Sequence, residues 1–594
     1  MEIRGDHRHF GCDNECRPED AVFCTSKDDG KPTGTGEDSR QSAQGLRDPK
    51  FREKIQRMIQ PEDLKKNKPL VWSAGTGTDA WELFCACIAG DLETVRRLDQ
   101  KDPAIVRCHY AYRKPLYFAV RENQLEVAAF LLERDPDPIG LAVNDSLLDI
   151  ARDRGYAQML RLLDTKLDAL GVSSKGEPLA EVIRERNPGK VRDLLNASPE
   201  LLHSGDTRSN QPIHWAVMTR QIDIIDELVA RGADINAKRL DGARPIQLTN
   251  GDYHYRGWDK VPKDAAPSPR AVYEHLRVRG SNCDICTAAY FGDLERVRGL
   301  CDQDPSLANR PSDYVTYYAC SGTPLRNAAA AGHIEIVKLL LERGADPNLP
   351  EEGIAPRGHA LHSAVCRGHV EIVKLLLEKG AHPNVEIESS ADTLSMVIGR
   401  DPSIVELLCS HGAARAVHLL AYYGDVPTAA AVFAANPGLA DDSEALSNAA
   451  GEGHEAFVKL MLRYQPDLAR RVSGDARSRE LTELLFARGA NPNHCGWLRI
   501  TPLHELARRG DVEKAALFID HGADLHARDE DICSTPLGWA AKFGRTQMVE
   551  FLLRRGARSN LPDDPPWATP LAWATRRGHG EIVELLKKSG KGAS

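Results

Sequence analysis

From about residue 80 onward, apolar residues come in short bursts at helical spacing, separated by glycines and polar turns. In TPLHELARRG (501–510), Leu503, Leu506 and Ala507 share one face of a helix. Thr501 stands where an N-cap belongs, and Pro502 takes the first helical position, where its missing N–H costs nothing. Gly510 can adopt positive φ and so ends this helix. Val512, Ala515, Ala516 and Ile519 predict a second helix closed by Gly522, after which ADLHARDEDICS turns toward the next TPL at Thr535. One such hairpin is too small to bury both of its faces, so it needs neighbours.

The neighbours are written into the chain. GHIEIVKLLLERGADPN (332–348) and GHVEIVKLLLEKGAHPN (368–384) are nearly the same peptide, 36 residues apart. Related segments start at Gly510, Gly544 and Gly578, separated by 34 residues each time. A fixed spacing of this kind predicts a stacked array rather than the roughly four domains that length alone suggests. GTPLRNAAAAGHIEIVKLLLERGADPN (322–348) resembles the ankyrin repeat over nearly the whole motif, and segments 211–236, 500–526 and 534–560 carry most of it. The resemblance implies an all-α fold: about 15–16 stacked helix-turn-helix repeats in a curved solenoid, with projecting loops along one edge.

Equivalent turns fall near Gly90, Asn123, Gly155, Arg186, Arg220, Gly292, Gly332, Gly368, Arg400, Gly424, Gly453, Arg477, Gly510, Gly544 and Gly578. The steps from Arg400 to Gly424 and from Gly453 to Arg477 are 24 residues, so a loop or helix must be shortened there. The expected organisation is a disordered tail (1–45), a capping helix region (46–79) set over the first repeat, and a first block of repeats (80–242). A repeat at 243–280 interrupted by an insertion at 251–267 follows, and then a second block at 281–590. The tail is short of large apolar residues and rich in Gly, Ser and charge. With 42% hydrophobic and 27% charged residues the array has the composition of a folding, soluble chain. A net charge of -9 speaks against a general nucleic-acid binder. No apolar run approaches the ~18 residues of a membrane span, and no signal peptide opens the chain. Fourteen cysteines then read as reduced thiols in a cytoplasmic protein.

Candidate chemistry is thin. His214, His362 and His504 recur at one repeat position, and His333, His369, His454 and His579 at the turns, so the resemblance makes them structural. Cys283 and Cys286 form a CxxC with no second pair at zinc-ribbon distance and read as small buried thiols. His7, His9, Cys12, Cys16 and Cys24 fit no metal motif. The glycine alternations GTGED (34–38) and GTGTD (75–79) neither follow a strand nor supply the lysine of a phosphate loop. Nothing names a reaction, cofactor or metal, and the expectation is a monomeric non-enzyme.

Aromatics are the remaining signal. Trp215, Trp539 and Trp573 sit at one place in the first helix, which core or inner-groove packing explains. Loop aromatics have less core to enter: Tyr314, Tyr317 and Tyr318, Trp497, and Trp567 either contact a partner or fold back on adjacent repeats. The insertion concentrates Tyr253, His254, Tyr255, Arg256 and Trp258, the residue types of a recognition loop. PEEGIAPR (350–357) and RDEDIC (528–533) are further contact candidates. The expected function is recognition of a protein partner through loop tips and the concave surface. An enzyme with its site on the insertion, or an exported effector, is the alternative.

Overall fold

The computed structural model describes residues 49–135, 137–139, 145–250, 267–314, 319–388, 392–398, 400–414 and 416–590. Over these residues thirty α-helices are interspersed with eight single 3-10 turns, and the only β-type pairings are isolated bridges such as Tyr110–Arg113 and Glu351–Ala355. The helices resolve into sixteen units, thirteen of them complete two-helix hairpins. The other three keep only the second α-helix: Pro269–Val278, Pro402–Ser410 and Arg479–Ala487.

The capping chemistry read from the sequence builds the hairpins. At Pro502–Arg509 the N-cap Thr501 and His504 form a reciprocal capping box, with Thr501 N donating to His504 Nδ1 at 3.1 Å. Thirteen of the fifteen expected turns hold a residue in the left-handed region, including Asn123, Arg186 and Arg220 at φ 59, 58 and 55°. Arg400 and Arg477 do not, because no first α-helix precedes either of them. The two short steps have different causes. After Pro402–Ser410 only a brief loop leads to the next helix, Val417–Tyr423. Between Gly453 and Arg477 it is the first helix that is missing, since few residues separate the 3-10 turn Pro466–Arg471 from Arg479–Ala487.

Two sets of polar bonds tie the units together. The residue after the turn reaches back to a carbonyl at the C-terminal end of the preceding first helix. His333 Nε2 lies 3.0 Å from Tyr290 O, His454 Nε2 2.8 Å from Tyr422 O, and Arg545 Nε donates to Arg508 O at 2.7 Å. Helix C-termini leave such carbonyls unpaired, and these side chains satisfy them. The second set runs along the loops. Asn348 Nδ2 donates to Gly380 O at 2.8 Å while its Oδ1 accepts from His382 N at 2.7 Å. Asn309, Asn384 and Asn493 repeat the arrangement toward Gly344, Gly412 and Gly522.

The chain packs as two units. The first contains Asn67–Ile150 and Ala157–Ala414; the second contains Arg415–Ser594 with Gln41–Lys66 and Ala151–Tyr156. In the first, one hydrophobic core runs unbroken from Leu179 to Leu408. In the second, a core from Leu420 to Ala490 and another from Leu503 to Leu586 are bridged by Phe486, which packs against both. The helix Pro49–Arg57, expected over the first repeat, belongs instead with the second unit. Ile59 N donates to Trp497 O at 3.1 Å, a backbone bond that seats this segment on the loop before Thr501.

Candidate functional site

Burial separates the candidate aromatics. Tyr314 is 1% exposed, with the Arg239 guanidinium 5.8 Å above its ring. Trp497 is 7% exposed and lies under the segment that its carbonyl anchors. Both were candidates for partner contact; both instead fold back, because each loop has a surface of its own unit to cover. Trp567 is half-buried, edge-on to Trp573 at 6.0 Å and capped by the Arg154 guanidinium at 4.3 Å. Tyr317, Tyr318 and the insertion residues Tyr253, His254, Tyr255, Arg256 and Trp258 lie outside the described residues.

Of the two candidate contact loops, 350–357 is half exposed and 528–533 is largely internal. Glu351, Ile354 and Ala355 of 350–357 are buried, with Pro350, Glu352, Pro356 and Arg357 left exposed. Glu351 holds a polar network. Its carboxylate meets Arg326 Nη1 at 3.0 Å, accepts from Thr323 N at 3.2 Å, and lies 3.3 Å from His359 Nδ1. Burial alone would raise this carboxyl, but Arg326 and His359 hold it at about 2. In 528–533, Asp529, Glu530 and Asp531 are buried, and Asp529 is the organiser of the loop. It accepts from Asp531 N and Ile532 N at 2.7 Å each, from Ser534 N at 3.0 Å and from Trp539 Nε1 at 3.0 Å.

Asp529 has a counterpart that sequence reasoning missed. Asp206 accepts from Arg208 N and Asn210 N at 2.8 Å and from Trp215 Nε1 at 2.7 Å. An aspartate nine or ten residues ahead of a first-helix tryptophan was the available signal. The third tryptophan breaks the rule. Asp564 stands nine residues before Trp573, yet it accepts from Leu561 N at 2.7 Å and pairs with Arg528 at 3.6 Å. Trp573 is 2% exposed, and its indole N–H has no acceptor among the described residues.

The histidines and cysteines behave as structural parts. His214 Nε2 lies 3.0 Å from Ala237 O and His504 Nε2 3.2 Å from Ser534 O, stitching each helix to the following loop. Burial pushes His214 down to about 3 and lowers His504 as well, so both rings stay neutral. His362 is placed differently, with Nδ1 3.5 Å from Cys366 Sγ. Cys283 and Cys286 are buried, and burial raises both thiols. Among the described residues, no group of three or more metal-capable side chains converges, and no helix is long and apolar enough to cross a membrane.

Comparison with known proteins agrees with the period. The family model for ankyrin repeats matches residues 285–387, 468–563 and 503–594, and the single ankyrin repeat matches 210–239. A probable E3 ubiquitin-protein ligase of Oryza sativa subsp. japonica is 30% identical over 223 residues, covering 30% of this chain and 40% of the relative. An E3 ubiquitin-protein ligase of Arabidopsis thaliana is 27% identical over 202 residues, covering 31% and 40%. Alpha-latrocrustotoxin-Lt1a of Latrodectus tredecimguttatus is 23% identical over 284 residues, 45% of this chain and 16% of the toxin. The chain thus spans 40% or less of the length of these relatives.

Proposed function

Since this chain is an ankyrin-repeat protein, we propose that it works by binding other proteins, as a scaffold, adaptor or inhibitor, with no catalytic centre of its own. The observation that carries this reading is the double stitching of the repeats, by turn side chains and by loop asparagines. Loops and helix ends fixed in advance lose little conformational entropy on docking, so more of the contact energy appears as affinity. The residue types capable of acid–base chemistry support the non-catalytic reading where they are buried. His214, His504 and Glu351 are each committed to bonds that hold one repeat to another.

The insertion at 251–267 is the contact element of this proposal, with Tyr253, His254, Tyr255, Arg256 and Trp258 as its anchors. It falls inside one repeat, between the 3-10 turn Pro245–Leu248 and the helix Pro269–Val278, where added loop length costs little entropy. Deleting 252–266 is expected to leave the melting profile intact and to weaken or abolish capture of a partner from native extract. A captured set identical to that of the full chain refutes the assignment.

The ligases among the relatives favour one second reading, in which the array presents a bound protein for ubiquitin transfer. Incubating the chain with ubiquitin, activating enzyme and conjugating enzyme separates the two. The first reading expects no chain-dependent ubiquitin conjugates; their appearance establishes the second.

A further inference from the structure

The two residues ahead of each turn end the first helix, and their character changes along the array. Tyr290–Phe291, Ala330–Ala331 and Cys366–Arg367 hold one cation between them; Arg508–Arg509, Lys542–Phe543 and Arg576–Arg577 hold five. The cations of the last three repeats form a connected strip. Arg545 Nε donates to Arg508 O at 2.7 Å, which places a further guanidinium beside the first pair. Lys542 Nζ, Arg576 Cζ and Arg577 Cζ lie 4.8, 4.4 and 5.9 Å from the centre of a single ring, that of Trp573. Arg509, Arg545 and Arg576 are exposed, and neither Arg509 nor Arg545 has an ion-pair partner among the described residues.

Two observations say what this strip takes. The first is a carboxylate already seated on it. Asp153, which packs in the same unit, pairs with Arg577 Nη2 at 2.7 Å and Arg576 Nε at 3.4 Å. The second is the orphan indole. Trp215 and Trp539 each give their N–H to an aspartate, and Trp215 has one guanidinium, that of Arg184, 4.6 Å from its ring. At Trp573 three cations converge and the aspartate is missing. The protein's own repeats therefore show a carboxylate to be the complement of this position.

We propose that the first-helix ends of the last three repeats are a docking strip for an acidic peptide segment of a partner protein. Its carboxylates engage Arg509, Arg545 and the remaining edge of Arg576, whose Nε and Nη2 already meet Asp153 and Trp567 O. This rests on the protein-binding reading above and names the class of partner. Exposed arginines in series over an aromatic floor give a polar, salt-sensitive contact, fast to form and tuned by charge. The overall charge of -9 adds selectivity, because the rest of the surface repels the same peptide.

The test titrates the full chain into a fluorescently labelled oligoglutamate peptide and reads anisotropy. Reversing Arg509, Arg545 and Arg576 to Glu is expected to weaken binding about tenfold or more. Reversing Arg488, Arg554 and Lys588, exposed residues in or just after second helices that change the net charge equally, should leave it within about twofold. Melting curves confirm that both triples fold. Equal losses in the two triples, or no loss in the first, overturn the strip. So does tighter binding once Asp28, Asp29, Glu37 and Asp38 are changed to amides, because the occupant is then the chain's own tail. A failed strip with partner capture intact leaves the protein-binding reading standing.

Discussion

In residues 324–414 each repeat passes its loop to the next through an asparagine, whereas from 417 to 471 the connection is a 3-10 turn. Asn348 and Asn384 each bridge to the loop one repeat on. Among the described residues these bridges stop at Ala414 and resume at Asn493. In between, Asn436 precedes the turn Pro437–Ala440 and Gln465 precedes Pro466–Arg471, and the side chain of Asn436 bonds no further than Gly438 N, at 3.2 Å. These repeats keep the turn stitch of His454 to Tyr422 O and one ion pair between loops, Arg471 with Asp441, and otherwise cohere through their interior. Phe433 is fully buried and meets Phe457 at 6.3 Å and Tyr464 at 5.6 Å, both edge-on. A repeat whose loop backbone is held by its neighbour presents that loop in a fixed place, and one held chiefly through its core does so less firmly. The difference separates surfaces suited to recognition from spacers that set their distance.

Removing the core on which 417–471 depends should separate the two stretches most strongly. Phe433→Ala leaves a cavity among Phe457 and Tyr464 and is expected to cost about 3–5 kcal/mol. Hydrogen exchange should accelerate across 417–471 while the amides of 334–378 stay protected. Uniform acceleration across both stretches would show that the asparagine bridges confer no independence.

The first stretch has its own weak point in Glu351. Glu351→Gln strands the buried Arg326 guanidinium without its countercharge, for a loss of about 3 kcal/mol. The sign of the accompanying pH effect follows from the depressed carboxyl. It titrates at about 2 when folded against about 4.3 in an unfolded chain, so its contribution is complete above about 4.3 and fades as pH falls toward 2. Acid should therefore loosen the amides around 321–359 in the parent protein between about pH 5 and 2. In Glu351→Gln that part of the pH dependence should be gone, and exchange measured at both ends of the range checks it. An unchanged acid profile would mean that other carboxylates carry it.

These two sites also mark how far the sequence could be read. The period, the Thr–Pro caps and the stitching role of His214 and His504 depend on neighbours a fixed distance away in the chain, so they were legible. The 24-residue steps were legible as shortening, but which piece was lost was not, since a missing first helix and a missing loop give the same count. Tyr314 and Trp497 stayed undecided between partner contact and folding back for a plainer reason. The groups they meet, Arg239 at the ring of Tyr314 and Ile59 N at the carbonyl of Trp497, are far away in sequence. The acidic loop 528–533 looked like a contact because charge suggests solvent, yet Asp529 spends its oxygens on three backbone amides and an indole. The cationic strip stands in the sequence only as neighbouring cations such as Arg576 and Arg577. Its meaning needed the ring of Trp573, around which they gather.

One residue type does a different job in each stretch, and removing it should have the mildest consequences. Asn348→Ala deletes a donor and an acceptor that link separate repeats, and should cost about 1–2 kcal/mol. Asn436→Ala deletes one local cap and should cost about 0.5–1 kcal/mol. The energies nearly overlap, so the discriminating measurement is spatial. Exchange at Ala381 and His382, in the repeat after Asn348, should rise in the first variant. In the second, the change should stay within Asn436–Asp441 and leave the helix Ser443–Glu452 as protected as before. If the Asn436 variant loosens that helix as well, the 3-10 turns transmit strain between repeats as the asparagine bridges do, and the division into presenting and spacing repeats fails.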